Sequence, residues 1–305
     1  MSIEKKDFAR LQTDDFLAAL KTDGVRYMLL LTKTANDEPL AVMIDRARRV
    51  YEVEVWANED FFEEGSLYEG ELVWEHDALK FIVFDVIRAK GVSCIHLCYR
   101  ERMQVLYNTI LCVSDSHTNE SIEHMISEEC KFLARNNEYN MHIAPKKCVP
   151  KASLAALWNE RYQSKHRNDG IIFTLNSACV ETGTSTSILK WKPSHSVDVR
   201  FELDENNEWR ILANKNNSSL LIGIEAACST TPCTFIKNKL LEIVQSRQPC
   251  ILECVLDVTD ERIVLSPERE RTDKTAPNTV KTIEATIRNA RESISCDDLV
   301  ALVVG

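Results

Sequence analysis

The sequence predicts an α+β fold in two domains, and three observations carry this prediction. The chain has 305 residues, which is enough for one large domain or two smaller ones. Up to about residue 193, β-branched and aromatic runs typical of strands are mixed with stretches of helical periodicity. From Ser196 the pattern changes to short strands interrupted by one helix. We therefore predict domains at residues 1–194 and 195–294, with a C-terminal helix at about 295–305 added to the first domain.

Composition and charge limit the function classes. Hydrophobic residues are 44% and charged residues 28% of the chain, which is typical of globular domains. The net charge is −10, whereas nucleic-acid binders are often basic overall, so a phosphate site here must be a local cluster on an acidic body. The N-terminal residues lack the apolar core of a secretory signal, and no apolar run reaches the ~20 residues of a membrane helix. We predict an intracellular protein without membrane contact.

The 11 cysteines indicate a reducing compartment. They form no Cys-x-x-Cys pair, and no histidine pair has zinc-finger spacing. Most have apolar neighbours, as Cys228 and Cys254 do. The prediction is a set of reduced, buried thiols with no zinc site.

The first domain is predicted to contain an antiparallel sheet with helices. A helical segment within Ser2–Leu20 precedes an extended entry to Lys21. Strands are predicted at Tyr27–Thr32, Leu40–Asp45, Val50–Trp56, Glu69–Trp74, Lys80–Ile87, Tyr139–Ile143, Ile171–Thr174 and Ile188–Pro193. Helical periodicity predicts helices at Tyr99–Val113, Ser121–Arg135 and Lys151–Lys165.

The second domain shows a simpler layout. Strands are predicted at Val197–Leu203, Trp209–Ala213, Leu220–Ala226, Ile251–Val258 and Ile263–Pro267. One helix, Thr234–Gln245, lies between them, and two helices close the chain at Pro277–Ala290 and Cys296–Val303. Five short strands with an inserted helix are typical of an oligonucleotide/oligosaccharide-binding (OB) barrel.

The chain is organised around Lys21-Thr22-Asp23-Gly24-Val25-Arg26. A lysine placed before an Asp-Gly turn can attack phosphorus once its proton is removed. The pKa of free lysine is ~10.4, so neighbouring cations or burial must lower it, and Arg26 is one available cation. Alone, such a string is most often a solvated turn, and its significance depends on the groups downstream.

Charged residues recur downstream at predicted strand ends. They are Arg46, Glu71, Asp169, Lys190, Lys192 and the run Arg271–Lys274. Because side chains alternate along a strand, Lys190 and Lys192 are predicted to point to one face. Each residue alone has the ordinary explanation of a solvated surface charge.

Taken in order, these elements resemble the covalent nucleotidyltransferases, and within them the GTP-dependent mRNA capping guanylyltransferases. The resemblance covers nearly the whole chain and extends to compact viral members such as the chlorella virus enzyme, including Ser2–Phe8. Leu20 and Glu69 depart from the pattern, since relatives often have glutamate and aspartate there. The matching elements are Lys21–Arg26, Ile44–Arg46, Tyr68–Val73, Phe81–Asp85, Asn168–Phe173, Leu189–Pro193 with Val197-Asp198, and Arg271–Lys274 with Pro277-Asn278. The Arg-x-Asp-Lys element discriminates best, because polynucleotide ligases end differently.

The resemblance implies a nucleotidyltransferase domain followed by an OB-fold domain with closing helices, and it implies a role for each residue. Lys21 would form a lysyl-N-GMP intermediate, and the 5′-diphosphate end of an RNA would then take the GMP. Arg46, Lys190 and Lys192 would hold the α-phosphate and ribose, Arg26 would be a catalytic cation beside Lys21, and Arg271 and Lys274 would reach the β- and γ-phosphates. Phe84 and Ile172 would sandwich guanine, and Glu71 and Asp169 would bind Mg²⁺ or Mn²⁺. Asp198 would orient either the lysines or the water at the pyrophosphate side. Thr22 and Asp273 complete the nucleotide-binding set. A hinge near Pro193–Ser196 would allow the two domains to close.

Three alternatives stay open at the sequence level. They are an ATP-dependent polynucleotide ligase, an inactive module that binds RNA or a polymerase tail, and an unrelated α+β protein with accidental matches. The expected partners are GTP and 5′-diphosphate RNA, with an RNA triphosphatase, a cap methyltransferase or RNA polymerase as further ones. The expected location is the nucleus for a cellular protein, and the cytoplasm, viral factory or virion for a viral one.

Overall fold

A computed structural model describes residues 1–55, 57–75, 78–111, 132–136, 139–183, 185–215, 218–221, 225–226, 234–259, 262–272 and 274–304. The chain forms two compact units. The first comprises Met1, Phe8–Trp191 and Val300–Gly305, and the second comprises Ser2–Asp7 and Lys192–Leu299. Both combine helices with mainly antiparallel sheet, so the predicted α+β class is confirmed. No described helix is long and apolar enough to cross a membrane.

The first unit contains twelve described strands. They are β1 Phe16–Thr22, β2 Val25–Lys33, β3 Pro39–Asp45, β4 Val50–Val55, β5 Ser66–Glu75, β6 Ala78–Ala89, β7 Val92–Ser93, β8 Phe132–Asn136, β9 Tyr139–Pro145, β10 Val149–Pro150, β11 Asn168–Leu175 and β12 Ile188–Trp191. Its described helices are α1 Phe8–Thr13, α2 Asp60–Glu63, α3 Tyr99–Leu111 and α4 Leu154–Glu160, with a 3₁₀ turn at Lys151–Ser153. These elements build two sheets.

The larger sheet has the order β5-β2-β3-β4-β8-β9-β6-β7, and β5 also pairs with β6. The pairings therefore run in a continuous circuit, antiparallel except between β6 and β9. Leu29 and Leu31 are buried whereas Leu30 is half-buried, as expected for a strand with one face on a core. Helix α3 contributes Leu106 and Ile110 to the same core. Truncating a buried leucine such as Leu106 to alanine typically costs about 2–5 kcal/mol of unfolding free energy.

The smaller sheet has the order β10-β1-β11-β12. It contains residues of three of the sequence motifs: Lys21 lies in β1, Asp169 lies in β11 and Lys190 lies in β12. Ile172 in the central strand β11 pairs with Ala19 on one side and with Lys190 on the other. The sheet register thus brings the nucleophile motif and two later motifs together.

The second unit contains one described sheet of six strands, in the order β15-β14-β13-β17-β18-β16. Its strands are β13 Ser196–Leu203, β14 Trp209–Lys215, β15 Ser218–Leu221, β16 Glu225–Ala226, β17 Cys250–Val258 and β18 Ile263–Glu270. The helices are α5 Thr234–Ser246 and α6 Val280–Glu292, with a 3₁₀ turn at Lys5–Asp7. The last helix, α7 Cys296–Val304, begins in this unit and continues into the first from Val300. The Thr279 side chain caps α6 by accepting a hydrogen bond from the Thr282 backbone N–H.

The OB barrel stays a prediction. Strands β15 and β16 are the two edges of the described sheet, and they are joined by residues 222–224, which lie outside the described residues. The strand predicted at Leu220–Ala226 is described as these two pieces. Ile243 of α5 and Ile283 of α6 pack on the core formed by Val199, Phe201 and Leu252.

Three predicted helices were too long or of the wrong kind. The first described α-helix ends at Thr13, so Lys21 lies in strand β1 and not in a turn. Of the helix predicted at Ser121–Arg135, residues 121–131 lie outside the described residues and the rest belongs to β8, where pairing with β4 and β9 overrides helical periodicity. The helix predicted at Lys151–Lys165 ends at Glu160, because the chain turns back to enter β11.

Two smaller predictions also changed. Strand β12 ends at Trp191, before Pro193, so Lys190 and Lys192 do not share a strand as predicted. The predicted burial of the cysteines is wrong for Cys179, which is exposed, whereas Cys94, Cys254 and Cys296 are buried. Seven cysteines are described, and all are free thiols. Trp56, which was predicted to end the third strand of the first domain, lies outside the described residues.

Candidate active site

Lys21 and Asp169 form an ion pair at the end of β1. The Lys21 Nζ lies 2.6 Å from Asp169 Oδ1, and the side chains are 19% and 29% exposed. Between Leu20 and Thr22 the pairing with β11 shifts, so Asp169 and Gly170 both stand opposite Lys21. A bulge of this kind re-aims side chains, and here it accompanies the carboxylate directed at the lysine.

Three further cations lie near Lys21. The pKa of Lys190 is lowered, first by the partial burial of its ammonium group and then by the positive charges of Lys21, Arg26 and Arg46. Arg26 binds Glu69 at 2.6 Å and lies 5.5 Å from the centre of the Phe84 ring. Within the described residues, neither Arg46 nor Lys190 has an ion-pair partner. Positive charge therefore accumulates here on an otherwise acidic chain, as an anion-binding site requires.

A buried lysine that sequence reasoning missed also reaches this site. Lys146 is 5% exposed, and its Nζ donates to Thr22 Oγ1 at 2.7 Å and lies 3.4 Å from Glu71 Oε2. Burial lowers its pKa more than Glu71 raises it. The available signal was a lysine three residues after the strand predicted at Tyr139–Ile143. Lys146 joins two residues predicted to bind nucleotide.

Helix α3 holds the two strands that present Phe84 and Lys146. The Tyr99 hydroxyl donates to the Phe84 carbonyl at 3.3 Å, and the Tyr107 hydroxyl donates to the Lys146 carbonyl at 2.7 Å. Arg102, 3% exposed, binds both oxygens of Asp85 at 2.7 and 3.0 Å. Breaking a buried pair of this kind costs about 3–5 kcal/mol of unfolding free energy. The residues beside the site are therefore fixed from the core.

Two glycines allow close packing at the site. A Cβ added at Gly24 would lie 2.8 Å from the Leu72 carbonyl oxygen and 2.7 Å from a Val73 methyl group. A Cβ at Gly70 would lie 2.5 Å from the Phe81 ring. Only glycine lets the turn after Lys21 approach strand β5, which contains Glu71.

The second unit assembles its own charged cluster around Asp198. This carboxylate is 5% exposed, accepts a hydrogen bond from Arg271 Nη1 at 3.0 Å, and also binds Lys274 Nζ. Glu253 lies 3.4 Å from Arg271 Nη1. Asn278 Oδ1 accepts a hydrogen bond from the Asp198 backbone N–H, and the Asn278 backbone N–H donates to the Asp198 carbonyl; both distances are 2.8 Å. Sequence reasoning did not find Glu253.

The predicted site residues thus fall into two groups. The first unit contains Lys21, Thr22, Arg26, Arg46, Glu71, Phe84, Asp169, Ile172 and Lys190. The second contains Lys192, Asp198, Arg271 and Lys274. Asp273 lies outside the described residues.

The carboxylates of this site suit a hard divalent cation that is coordinated by both protein and substrate phosphate. Glu71 and Asp169 supply carboxylate oxygens, which Mg²⁺ and Mn²⁺ prefer. No group of three His, Cys, Asp or Glu side chains able to hold a metal occurs among the described residues. Mg²⁺ is commonly held by one or two carboxylates together with substrate phosphates, so this arrangement suits it.

Comparison with known proteins identifies the family. The family model described as mRNA capping enzyme, catalytic domain, matches residues 1–194. The chain belongs to the mRNA capping enzyme family. It is 24% identical to the mRNA-capping enzyme subunit alpha of Schizosaccharomyces pombe, over 98% of this chain and 77% of that protein. It is 23% identical to the mRNA-capping enzyme of Caenorhabditis elegans, over 93% of this chain and 45% of that protein. The family predicted from the motifs of this capping-enzyme chain is confirmed.

Solved structures similar to the capping-enzyme chain include DNA ligases. A mycobacterial DNA ligase D complexed with ATP and MES matches with a TM-score of 0.46 and 13% identity, over 87% of this chain and 92% of that chain. A chlorella virus DNA ligase-adenylate matches with a TM-score of 0.38 and 14% identity, over 90% of this chain and 98% of that chain.

Proposed function

We propose that this capping-enzyme chain is an mRNA guanylyltransferase that transfers GMP from GTP to the 5′-diphosphate end of RNA. One observation carries the proposal. Lys21 is held 2.6 Å from Asp169 in a cluster with Arg26, Arg46 and Lys190, so a nucleophile lies among cations that suit a nucleotide phosphate. Membership of the family supports the choice of GTP and RNA as substrates.

In the first step, the neutral Lys21 amine attacks the α-phosphorus of GTP. A P–N bond forms, the bond to the bridging oxygen of the β-phosphate breaks, and pyrophosphate leaves with that electron pair. The ammonium proton of Lys21 must leave before attack, and Asp169 is the nearest described acceptor. The negative charge of the transition state would be stabilised by Arg46 and Lys190.

In the second step, a terminal phosphate oxygen of the RNA attacks the phosphorus of the lysyl-GMP. The P–O bond of the cap forms and the P–N bond breaks. The electron pair returns to the Lys21 nitrogen, which takes up a proton. Both steps need the same cations, because charge develops at the same phosphorus.

The other predicted residues complete the site. Phe84 and Ile172 would hold the guanine ring between them, and Lys146 would keep Thr22 and Glu71 in place. Arg271 and Lys274 would bind the β- and γ-phosphates. Glu71 and Asp169 would hold Mg²⁺ or Mn²⁺, which would neutralise phosphate charge.

The proposal also sets the partners and location. An RNA triphosphatase must supply diphosphate ends, and a cap methyltransferase or RNA polymerase would act beside it. The nucleus is the expected site in a cell, and the cytoplasm, viral factory or virion is expected for a viral protein.

The test uses α-labelled GTP or ATP with Mg²⁺ or Mn²⁺, followed by denaturation and detection of label on the chain. We expect label from GTP that diphosphate-ended RNA removes. Lys21→Ala should abolish it, whereas Lys281→Ala, which removes an exposed lysine of α6, should keep it. Label from ATP alone would favour the ligase alternative, and no label from folded protein would favour the binding module.

A further inference from the structure

A basic, aromatic loop leads directly into the candidate active site. The chain from Arg161 to Arg167 follows α4 and enters β11 at Asn168. Its Arg161, Lys165 and Arg167 are cations, and it contains no acidic residue. Such a segment stands out on a chain of net charge −10, because its field would favour an anion locally.

Two of the three cationic side chains of this loop are exposed and can bind an anion. Lys165 and Arg167 are exposed, and neither has an ion-pair partner among the described residues. The nearby Glu160 carboxylate is bound by Lys147 at 2.8 Å, so it does not neutralise the loop cations. Two exposed cations that have no ion-pair partner in the described part of the chain can contact phosphates without first breaking a described ion pair.

A stack of side chains connects the same loop to the core. Trp191, 5% exposed, contacts Trp158 edge to face, with ring centres 5.2 Å apart. The Arg161 guanidinium lies 3.8 Å from the centre of the Trp158 ring and 3.9 Å from that of Tyr162. Tyr162 ends the stack with 78% of its surface exposed. An aromatic ring held by a stacked arginine and left open to solvent suits the stacking of a nucleobase.

The loop is held in place from both sides. His166 Nδ1 lies 2.7 Å from Glu75 Oε1, and the Asn168 side-chain amide donates to Ser164 Oγ at 2.9 Å. Little conformational entropy would be lost on binding a strand of nucleic acid, because these contacts already order the backbone.

The loop also touches the nucleophile motif. The Asp23 backbone N–H donates to the Arg167 carbonyl at 2.9 Å, and Thr22 pairs with Asn168 across the β1–β11 ladder. Arg167 is two residues before Asp169, so their Cα atoms are at most about 7 Å apart. A nucleic acid whose 5′ end is at Lys21 therefore has this loop as an immediate neighbour.

We propose that the Arg161–Arg167 loop binds the first nucleotides of the acceptor RNA, with Lys165 and Arg167 on its phosphates and Tyr162 stacked on a base. This inference rests on the proposed function, since it gives that site its second substrate. The loop acts in the transfer of GMP to RNA and has no part in the reaction of Lys21 with GTP. Two or three cations make the interaction short and dependent on only a few phosphates.

The experiment separates the two steps. The variants are Lys165→Ala/Arg167→Ala and Tyr162→Ala, and the charge-matched control is Lys281→Ala/Arg288→Ala, which removes two exposed cations of α6. Formation of the labelled protein from GTP is measured first. The purified labelled protein is then chased with 5′-diphosphate RNAs of two and ten nucleotides over a series of salt concentrations.

We expect every variant to form the labelled intermediate within about twofold of the wild-type rate. The half-saturating concentration of the ten-nucleotide RNA should rise about tenfold for each loop variant and stay unchanged for the control. The slope of log affinity against log salt should become shallower by about 1.4 for the double variant, at roughly 0.7 for each lost phosphate contact. Tyr162→Phe should retain wild-type transfer because it keeps the ring.

Three outcomes would overturn the inference. Loop variants that transfer GMP to the ten-nucleotide RNA with wild-type affinity would refute the role of the loop while leaving the guanylyltransferase intact. An equal loss in the control would mean that overall charge, and not this loop, attracts the RNA. Wild-type protein that takes no label from GTP would refute the proposed function itself, and the inference with it.

Discussion

The two units of this chain differ in how far their cations are paired, since the first pairs Lys21 with Asp169 and Arg26 with Glu69 but leaves two other cations unpaired among the described residues. In the first unit, Arg46 and Lys190 have no ion-pair partner within the described residues, and their charges add to those of Lys21 and Arg26. In the second unit, Arg271 and Lys274 both bind the buried carboxylate of Asp198. The first cluster therefore keeps two cations for an anion, whereas both cations of the second already bind a carboxylate.

The difference predicts different consequences of mutation. Removing a charge from the first cluster should change catalysis more than stability, because its groups are partly exposed and not fully paired. Removing the carboxylate from the second should change stability, because two half-buried cations would lose their buried partner. A phosphate that binds Arg271 and Lys274 would have to compete with Asp198, so this unit is expected to contribute less binding energy per cation.

The largest expected effect is that of Asp169→Asn on formation of the labelled intermediate. The substitution removes the carboxylate that holds Lys21 and leaves the lysine among cations, so we expect a loss of at least about 100-fold in the single-turnover rate. The unfolding free energy should change by less than about 1 kcal/mol, since the pair is partly exposed. Glu52→Gln, an exposed carboxylate on β4, serves as the control. A rate within tenfold of wild type would contradict the assigned role.

The next effect concerns the second unit. Asp198→Ala should lower the unfolding free energy by about 3 kcal/mol, because Arg271 and Lys274 lose their common buried partner. Urea denaturation measures this change. Asp257→Ala, an exposed carboxylate of β17, should stay within about 0.5 kcal/mol of wild type. If the two variants were equally stable, the two clusters would not differ as described.

The pH dependence of the first step should distinguish lysine from arginine at position 190. The lowered pKa of Lys190 means that it loses its proton below the usual 10.5, and the site then loses a positive charge. The wild-type rate should therefore fall at alkaline pH, by about tenfold at full deprotonation. Lys190→Arg should not show this fall, because arginine stays charged. Parallel profiles for the two proteins would contradict the prediction.

The smallest effect is the acid dependence of Glu253. Burial alone would raise the pKa of this carboxyl, but hydrogen bonds from Ser196 and Arg269 and the charges of Arg269 and Arg271 bring it below its usual value. Its stabilising contribution is therefore complete above about pH 4.5 and is lost as the pH falls through the lowered value. Glu253→Gln should cost about 0.5–1 kcal/mol at pH 7 and less at pH 3, as measured by urea denaturation. A cost that does not change with pH would contradict this.

The sequence predicted the parts of the site that depend on local order along the chain. The strand that ends just before Arg46 and the strand that contains Lys190 were indicated by β-branched runs, and the family was indicated by the order of motifs. Residues that act through distant contacts left no such signal. Lys146 reaches Thr22 across 124 positions, and Arg102 reaches Asp85 from a helix that looked ordinary.

Predictions failed where tertiary contacts override a local pattern. The segment Phe132–Asn136 has helical periodicity, yet it lies between β4 and β9, whose edges offer backbone partners. Lys192 was placed beside Lys190 by alternation alone, but Trp191 ends the strand. Periodicity therefore indicates which face a residue prefers, and pairing decides where the element begins and ends.

The packing around Gly24 has a consequence for directed evolution. Any side chain at this position would meet a backbone carbonyl of β5, so the limit is imposed by folding and not by chemistry. A library randomised at position 24 and screened only for soluble expression should therefore return glycine almost exclusively. Libraries at Lys21, screened in the same way, should accept many residues. Such paired screens would distinguish the motif residues that the fold requires from those that the reaction requires.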